Sequence, residues 1–327
     1  MSKGKLRVAI IGLGKMGLVH AGILNVLPNV ELVALCEKSG LIRRFAKKVF
    51  KELEVVDDLE KLAGLNLGAI YVTTPIPSHY HVAKAILENE ISDNLFVEKT
   101  LAQTYEEAKQ LVDLIQSRQS VTMVGYLRRF YVTFKKAKEL LQEDAVGRIK
   151  SFNAYAYSSD FLGVDEKAKM SASRGGVLRD LGCHAVDLAL WFFGDLRVSS
   201  TKSKTNDLTD DSASFEVEGS DLVGEFGVSW RKEGYRMPEV GLSIMGSKGN
   251  LFVNDDQVKL ETVDGKSFKW YRHDLNDTVP FWLGLPEYYR EDLLFSQSVA
   301  GGLNAQPDFI SGAKVDKIID DVVGGEV

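Results

Sequence analysis

Short apolar runs alternate with helical patterns through the first third of the chain. The runs that we predict as strands are Leu6 to Ile11, Val30 to Leu35, Ala69 to Thr73, Leu95 to Val97 and Val121 to Val124. Between them, apolar positions at helical spacing predict helices over Lys15 to Val26, Leu41 to Phe50, Ser78 to Glu88 and Thr104 to Ser117. Strands that alternate with helices in this way indicate a parallel sheet covered by helices.

The pattern changes in the second part of the chain. A helix over Phe130 to Gln142, a strand over Ile149 to Tyr157 and a helix over Val177 to Phe193 come first. From Arg197 onward, alternating positions between Gly and Asp turns predict strands within 211–218, 222–230, 240–245, 251–253, 258–262 and 267–271. We interpret these strands as one antiparallel sheet. Two helices, Tyr288 to Val299 and Phe309 to Val322, follow it.

Large side chains give this second sheet an apolar character. The positions concerned are Phe215, Val217, Phe226, Val228 and Trp230. A sheet face that no helix covers needs a partner if it is apolar. We therefore hypothesise that the chain associates with itself through this sheet.

A chain of 327 residues is long enough for two domains. The change of pattern predicts a doubly wound α/β domain of the Rossmann type over residues 1–124. An α+β domain with an antiparallel-rich sheet is predicted over residues 125–327. The second domain would bind the substrate and carry the oligomer contacts.

The first predicted strand ends in a glycine-rich turn that opens a helix. The turn reads Gly12, Leu13, Gly14, Lys15, Met16 and Gly17. In a dinucleotide-binding fingerprint the first glycine permits the tight turn, the second lets the backbone approach a pyrophosphate, and the third allows close packing of helix on strand. The helix N-terminus then faces the phosphates. The motif therefore predicts a bound dinucleotide.

An acidic residue at the end of the second strand indicates which dinucleotide is preferred. Glu37 lies twenty residues after Gly17, where a carboxylate would bind the adenosine ribose hydroxyls and repel a 2′-phosphate. NAD is therefore favoured. NADP stays open, because Lys38, Arg43 and Arg44 follow closely and could receive a phosphate if their side chains converge.

Two further turns follow inner strands of the predicted parallel sheet. Thr74, Pro75 and His79 follow the strand Ala69 to Thr73, and Glu98 and Lys99 follow the next strand. Ligands of doubly wound sheets lie beyond the carboxyl ends of the strands, so we expect these residues at the cofactor. Lys99 is a candidate proton donor or stabiliser of a negative oxygen. Local packing of His79 and a surface pair between Glu98 and Lys99 are the structural alternatives.

A third set of polar residues lies on the predicted helix Val177 to Phe193. Asp180 and His184 are four residues apart and Asp187 follows three later, which places them near one helix face. A carboxylate beside an imidazole raises its basicity, as a general base for an alcohol requires. A buried structural pair is the alternative. Metal binding by these three residues finds no further ligand cluster in the sequence, and we predict no metal.

Composition excludes several kinds of partner. The formal net charge is −6, which gives nucleic acid little electrostatic attraction, so a small molecule is the expected partner. Cys36 and Cys183 form no CxxC pattern and suit a reducing compartment. No apolar run approaches the ~20 residues of a membrane span, and we expect a cytoplasmic protein that binds no membrane.

Taken together and in this order, the motifs resemble the Gfo/Idh/MocA oxidoreductases, the family of glucose-fructose oxidoreductase and inositol dehydrogenase. The matching segments are GLGKMG at Gly12 to Gly17, TPIPSH at Thr74 to His79, EKT at Glu98 to Thr100, GYLRRF at Gly125 to Phe130, and the run from Gly175 to Gly194. The resemblance implies a Rossmann domain followed by an α+β domain with a large open sheet, used in dimers or tetramers. It also implies NAD(P)-dependent hydride transfer at a hydroxyl or carbonyl of a sugar, cyclitol or sugar derivative.

The family's catalytic lysine corresponds to Lys99, and its aspartate and histidine correspond to Asp180 and His184. In the resulting hypothesis His184 takes the hydroxyl proton, Asp180 orients the substrate and Lys99 stabilises the oxygen charge. We expect these three residues, with Tyr126 and Arg129, to bind the substrate.

Two departures from the family pattern stand out. Thr100 replaces the usual proline, so the turn of Lys99 loses a restricting ring and we expect a looser lysine. Arg179 stands where an apolar residue is common, as either a substrate contact or a solvated side chain. The alternative functions are an NAD-dependent glycosidase on the same fold and a non-catalytic dinucleotide-binding regulator.

Overall fold

The computed structural model describes residues 4–163, 175–204 and 211–324. The chain divides into two compact units that are not continuous in sequence. The first combines residues 1–125 with 279–313, and the second combines 126–278 with 314–327. Residues 279–313, which were predicted to belong to the second domain, thus lie in the first unit.

The first unit contains a six-stranded parallel sheet. Its strands are β1 (Leu6–Ile11), β2 (Val30–Cys36), β3 (Glu54–Val56), β4 (Ala69–Val72), β5 (Leu95–Glu98) and β6 (Thr122–Gly125), in the spatial order β3-β2-β1-β4-β5-β6. The strand order reverses between β1 and β4. A ligand crevice is therefore expected beyond the ends of these strands. The short edge strand β3 was not predicted, because its three residues carry too little pattern.

Helices connect the strands of the first unit. These are α1 (Lys15–Leu24), α2 (Gly40–Val49), α3 (Ile76–Glu88) and α4 (Tyr105–Ile115). Thr104 caps α4, its hydroxyl accepting a hydrogen bond from the amide of Glu107 at 3.2 Å. Later in the chain comes α7 (Pro286–Gly301), which packs against α1.

The second unit contains an eight-stranded sheet. Its strands are β7 (Ile149–Tyr157), β8 (Arg197–Lys204), β9 (Ser212–Glu218), β10 (Val223–Ser229), β11 (Glu239–Gly246), β12 (Gly249–Asn254), β13 (Gln257–Thr262) and β14 (Ser267–Tyr271). The spatial order is β14-β13-β12-β11-β7-β10-β9-β8. All neighbours are antiparallel except β7 and β10, so the predicted antiparallel sheet contains one parallel pair. The predicted fold class is confirmed.

Helices α5 (Val132–Gln142) and α6 (Cys183–Phe193) pack on this sheet, and α8 (Phe309–Gly324) is the last helix described. Phe193 of α6 stacks on Phe152 of β7, with ring centroids 4.4 Å apart, and Phe152 contacts Phe226. The covered face of the sheet is therefore its apolar face.

The five apolar residues that the sequence analysis placed on this sheet are all buried. Phe215 stacks on Phe226, so both lie on the side that the helices cover. The opposite side of β7 carries Tyr155 and Tyr157, which are half-buried and stack on each other. These five residues therefore belong to the core of the second unit, and self-association through the sheet would have to use its opposite side.

No helix in the described ranges is long and apolar enough to cross a membrane.

Candidate functional site: a dinucleotide cradle and two polar clusters

The glycine turn Gly12 to Gly17 has the backbone form that a dinucleotide needs. Gly12 has a φ of +95°, and a Cβ there would lie 2.9 Å from the backbone nitrogen of Thr74. A Cβ on Gly17 would lie 2.0 Å from the carbonyl oxygen of Gly12, so only glycine allows α1 to approach so closely. Gly14 is the N-cap of α1 and is exposed. It forms no side-chain capping hydrogen bond with the first amides of the helix. The first amides of α1 are thus available to phosphate.

Other residues of the predicted cradle surround this turn. Lys15 is exposed and Met16 is half-buried. Leu13 is buried, and its amide donates to Glu37. Thr73, which directly follows the neighbouring strand β4, donates its hydroxyl to the carbonyl oxygen of Gly12 at 2.6 Å. The turn is therefore held from two sides, and its residues fit a dinucleotide.

Glu37 has two backbone partners. Its Oε2 accepts from the amide of Leu13 at 2.8 Å, and its Oε1 accepts from the amide of Ser39 at 2.7 Å. Each carboxylate oxygen has a second lone pair, so ribose hydroxyls can still bind. Arg43 donates to the carbonyl oxygens of Glu37 and Lys38 at 2.7 and 2.6 Å, while Lys38 and Arg44 are exposed. This use of Arg43 disfavours a 2′-phosphate site.

His79 connects the turns after β4 and β5. Its Nε2 contacts the carbonyl oxygen of Thr74 at 2.6 Å, and its Nδ1 contacts that of Thr100 at 2.7 Å. Burial lowers the pKa of His79, and the contacts with the two carbonyl groups oppose that shift. Pro75, in the same turn, is exposed. His79 therefore packs locally, as its structural alternative stated, but it also joins two loops at the crevice.

The turn from Glu98 to Thr100, which we call the Lys99 turn, is held on both sides of the lysine. The amide of Lys99 donates to Glu98 Oε2 at 3.1 Å, and the Thr100 carbonyl contacts His79. The hydroxyl of Thr100 donates to the carbonyl oxygen of Ala102 at 3.0 Å, and the peptide bond between Lys99 and Thr100 is cis. Hydrogen bonds from side chains thus hold this backbone at the place where a proline ring would restrict it.

Glu98 reaches a third residue that the sequence analysis missed. Glu98 Oε1 lies 3.0 Å from Nε2 of His20, whose Nδ1 lies 2.8 Å from Asp292 of α7. His20 stands on the inner side of α1, three residues after Gly17, within an apolar run. A histidine within an apolar helical run is the sequence signal that could have identified His20 as a functional candidate. The two oxygens of the Glu98 carboxylate contact His20 and the amide of Lys99.

The second unit holds the remaining predicted residues. Asp180 lies half-buried in a π turn, Leu178–Gly182, and His184 follows in the first turn of α6. Turns of this kind occur often at functional sites. Tyr126 is fully buried, and its ring meets that of His184 edge-on, with centroids 6.3 Å apart. Burial raises the pKa of Tyr126.

Asp187 belongs to an ion pair rather than to the histidine. It is fully buried and accepts three hydrogen bonds from Nε and Nη2 of Arg129, at 2.7 to 3.1 Å. The guanidinium of Arg129 also lies over the ring of Trp191, 5.7 Å from its centroid. Asp187 was expected within reach of His184, but its contacts are with Arg129, because the guanidinium matches a carboxylate at two points.

Arg179 is neither solvated nor open to a substrate. It is buried and forms ion pairs with Asp316, at 3.5 Å, and with Asp320, both of α8. These pairs attach the π turn that carries Asp180 to the last helix. Among the described residues, no group of three or more His, Cys, Asp or Glu side chains is arranged to hold a metal ion.

Two family models match the chain. Residues 6–126 match the NAD-binding Rossmann fold of the GFO/IDH/MocA oxidoreductases, and residues 134–252 match the C-terminal domain of the same family. The cofactor prediction is thereby confirmed as NAD-binding.

Named relatives include inositol dehydrogenases. The chain is 24% identical over 273 residues to the myo-inositol 2-dehydrogenase of Thermotoga maritima, covering 79% of this chain and 77% of that protein. It is 24% identical over 192 residues to the NAD⁺-dependent scyllo-inositol 2-dehydrogenase of Bacillus subtilis, covering 58% and 54%. For several other curated relatives the match spans about half of their length.

Solved structures share the fold along nearly the whole chain. A levoglucosan dehydrogenase in complex with NADH and L-sorbose superposes with a TM-score of 0.85 at 20% identity, covering 99% of this chain and 97% of that one. An NAD-binding oxidoreductase from Klebsiella pneumoniae gives 0.85 at 18% identity, covering 98% and 97%. With both domain models matched in order, the chain belongs to the GFO/IDH/MocA oxidoreductase family.

Proposed function

We propose that the protein is an NAD-dependent dehydrogenase that oxidises a secondary hydroxyl of a sugar, cyclitol or sugar derivative, or catalyses the reverse reduction. The observation that carries this proposal is the Lys99 turn, whose backbone is held by Glu98 on one side and by His79 on the other. A lysine supported in this way beyond a central strand of a dinucleotide-binding sheet suits catalysis better than solvation.

Each proposed residue has one role. His184 accepts the proton of the substrate hydroxyl, Asp180 orients that hydroxyl, and Lys99 stabilises the negative charge that develops on the oxygen. NAD, bound at the glycine turn, supplies the hydride acceptor. Tyr126 is proposed to line the substrate site beside His184, while Arg129 is proposed to act on the substrate site only through its pair with Asp187.

The test is a screen of NAD⁺ reduction with myo-inositol, scyllo-inositol, levoglucosan and simple glucosides, followed at 340 nm. Absorbance that grows with substrate indicates a dehydrogenase that releases NADH. Cleavage of a glucoside without net NADH would favour the glycosidase alternative. NADH binding without turnover of any compound would favour a regulator.

Variants then assign the roles. We expect His184→Ala to lower kcat by about 10² to 10⁴ while NADH binding, measured by fluorescence, is retained. His273→Ala is the matched control, because His273 is an exposed histidine of the same unit. Lys99→Met is compared with Lys109→Met, a change to an exposed lysine of α4. Unchanged turnover in His184→Ala would remove His184 from the mechanism.

We also propose that the chain forms a homodimer or homotetramer through the second sheet and works in the cytoplasm. Support for the surface is the stacked pair Tyr155 and Tyr157, which is half-buried on the side away from the apolar core. Support for the compartment is that the two cysteines, Cys36 and Cys183, are buried and not joined in a disulfide bond. Sedimentation showing only monomer at micromolar concentration would contradict the first proposal.

A further inference from the structure

His20 is enclosed by two carboxylates in the interior of the first unit. Its side chain is completely buried, with Nδ1 at 2.8 and 3.0 Å from the two oxygens of Asp292 and Nε2 at 3.0 Å from Glu98 Oε1. Asp292 is also completely buried, and the Glu98 side chain is 11% exposed. We call these three residues the His20 cluster. It joins α1, the end of β5 and α7.

The hydrogen-bond partners of His20 determine the charge of its imidazole ring. Ionised carboxylates only accept hydrogen bonds, so both ring nitrogens of His20 must donate, as only the imidazolium can. Burial alone lowers the pKa of His20, but the charges and hydrogen bonds of Asp292 and Glu98 outweigh it and raise that pKa well above 6.5. The rings of Tyr71, Phe96 and Tyr288 pack around the imidazole.

Tyr71, Tyr288 and Glu291 are further titratable groups close to this cluster. The pKa of the Tyr71 phenol is raised by burial and then by the charges of Asp292 and Glu291, so the hydroxyl stays neutral. A neutral phenol adds no charge to the cluster.

Glu98 connects the His20 cluster to the Lys99 turn. One carboxylate oxygen contacts His20, and the other accepts the hydrogen bond from the Lys99 amide at 3.1 Å. Gly125 of β6 leaves space for this carboxylate, since a Cβ at that position would lie 3.1 Å from its Oε2. The orientation of Glu98 thus fixes where the lysine backbone starts.

Stability alone is a weak reason for such a cluster. Removing charges from water costs several kcal/mol for each ion, and replacement of buried ion pairs by apolar residues of similar volume is often neutral or stabilising. An apolar contact between α1 and α7 would serve the fold equally well. The cluster instead lies one residue away from the proposed catalytic lysine.

We propose that Asp292 and His20 are positioning residues for catalysis, holding Glu98 in the one orientation that fixes the backbone of Lys99. The proposal rests on the proposed dehydrogenase function only in naming Lys99 as catalytic. Independently of that function, it states that loss of His20 or of the charge of Asp292 breaks the hydrogen bond between the Lys99 amide and Glu98.

A first experiment observes the unmodified protein. Long-range ¹H–¹⁵N spectra of ¹⁵N-histidine-labelled protein, assigned with His20→Asn, report whether each ring nitrogen carries a proton. We expect both nitrogens of His20 to be protonated from pH 6 to pH 8. A neutral ring at pH 7 would overturn the proposal, because one carboxylate would then not be bound.

A second experiment compares His20→Asn and Asp292→Asn with Ser296→Ala. Ser296 is a buried residue of the same helix, α7, and accepts a hydrogen bond from Asn29 at 3.1 Å, away from the cluster. ¹⁵N-lysine labelling, with Lys99→Arg for assignment, reads the Lys99 amide directly. We expect its resonance to move upfield and its hydrogen exchange to speed up in the two cluster variants, and to stay unchanged in Ser296→Ala.

With a substrate from the screen, both cluster variants should lower kcat roughly 10- to 100-fold while KM and NADH affinity change less than about twofold. A purely structural role predicts instead a lower melting temperature with an unchanged Lys99 amide and kcat, and this result would overturn the inference. Asp292→Asn is nearly isosteric, so it serves if His20→Asn does not fold.

The two proposals fail separately. If Lys99→Met retains turnover, the role given to Lys99 is wrong, yet the amide measurement still tests its positioning. If Lys99→Met is inactive while His20→Asn and Asp292→Asn are as active as Ser296→Ala, the positioning inference alone is wrong.

Discussion

His20 and His79 lie in the same unit, are both almost completely buried, and both act on the Lys99 turn. His20 acts before the lysine, through Glu98, and faces two carboxylates. His79 acts after the lysine, through the carbonyl of Thr100, and faces two carbonyl groups. The pKa of the first is raised well above its usual value, and the pKa of the second is lowered.

The difference shows that burial does not decide the charge of a histidine by itself. Burial disfavours the charged ring at both positions. Full negative charges outweigh that effect at His20, whereas carbonyl dipoles do not at His79. One side of the turn is therefore held by full charges and the other by the dipoles of two carbonyl groups.

The largest effect that would test this comparison is on stability. His20→Leu leaves two buried carboxylates without a cation and should lower the free energy of unfolding by about 3–5 kcal/mol. His79→Leu leaves carbonyl groups unsatisfied and should cost about 1–3 kcal/mol. Urea unfolding measures both. Adding Asp292→Asn to His20→Leu should recover part of the loss, and equal losses in the two single variants would contradict the charge difference.

The second effect is the pH dependence above neutrality. A raised pKa means that folded His20 keeps a proton that the unfolded chain releases above about pH 6.5. Its stabilisation is complete below that pH and declines as the pH rises through the folded pKa, by up to ~1.4 kcal/mol per pH unit. Urea unfolding between pH 7 and 8.5 should show this decline in the wild type and a smaller one in the double variant His20→Asn/Asp292→Asn.

The third effect has the opposite sign and a narrower pH range. Because the pKa of His79 is lowered, its contribution is complete above about pH 6.5 and is lost as the pH falls through the folded pKa. Between pH 6.5 and 5 the wild type should therefore lose more stability than His79→Gln. His81→Gln, which changes an exposed histidine of α3, should follow the wild type. Parallel curves for all three proteins would contradict the lowered pKa of His79.

The smallest effect concerns Thr100. Thr100→Val removes the hydroxyl that donates to Ala102 but keeps the carbonyl that contacts His79. We expect a loss of about 1 kcal/mol in unfolding free energy and an unchanged kcat. A large fall in kcat without loss of stability would show that the side chain of Thr100, rather than its backbone, positions the lysine.

Local sequence patterns sufficed for most of the fold. The glycine turn, the acid at Glu37 and the turns after β4 and β5 lie where the pattern of strands placed them, because parallel strands bring their carboxyl ends to one edge. The pairing of charges could not be derived in this way. Asp292 lies 272 residues from His20, and Arg129 lies 58 residues from Asp187. Tertiary packing brings such partners together. The spacing of residues along a helix gives no information about that packing.

The bond between Glu37 and the amide of Leu13 has a consequence for how cofactor preference could evolve. The carboxylate that is proposed to favour NAD also accepts a hydrogen bond from the amide of Leu13 in the glycine turn. A substitution that admits NADP by removing this charge therefore also leaves the Leu13 amide without its acceptor. A lineage moving between the cofactors would need a second change that replaces that acceptor, so selection on the shape of the turn makes a one-step switch unfavourable.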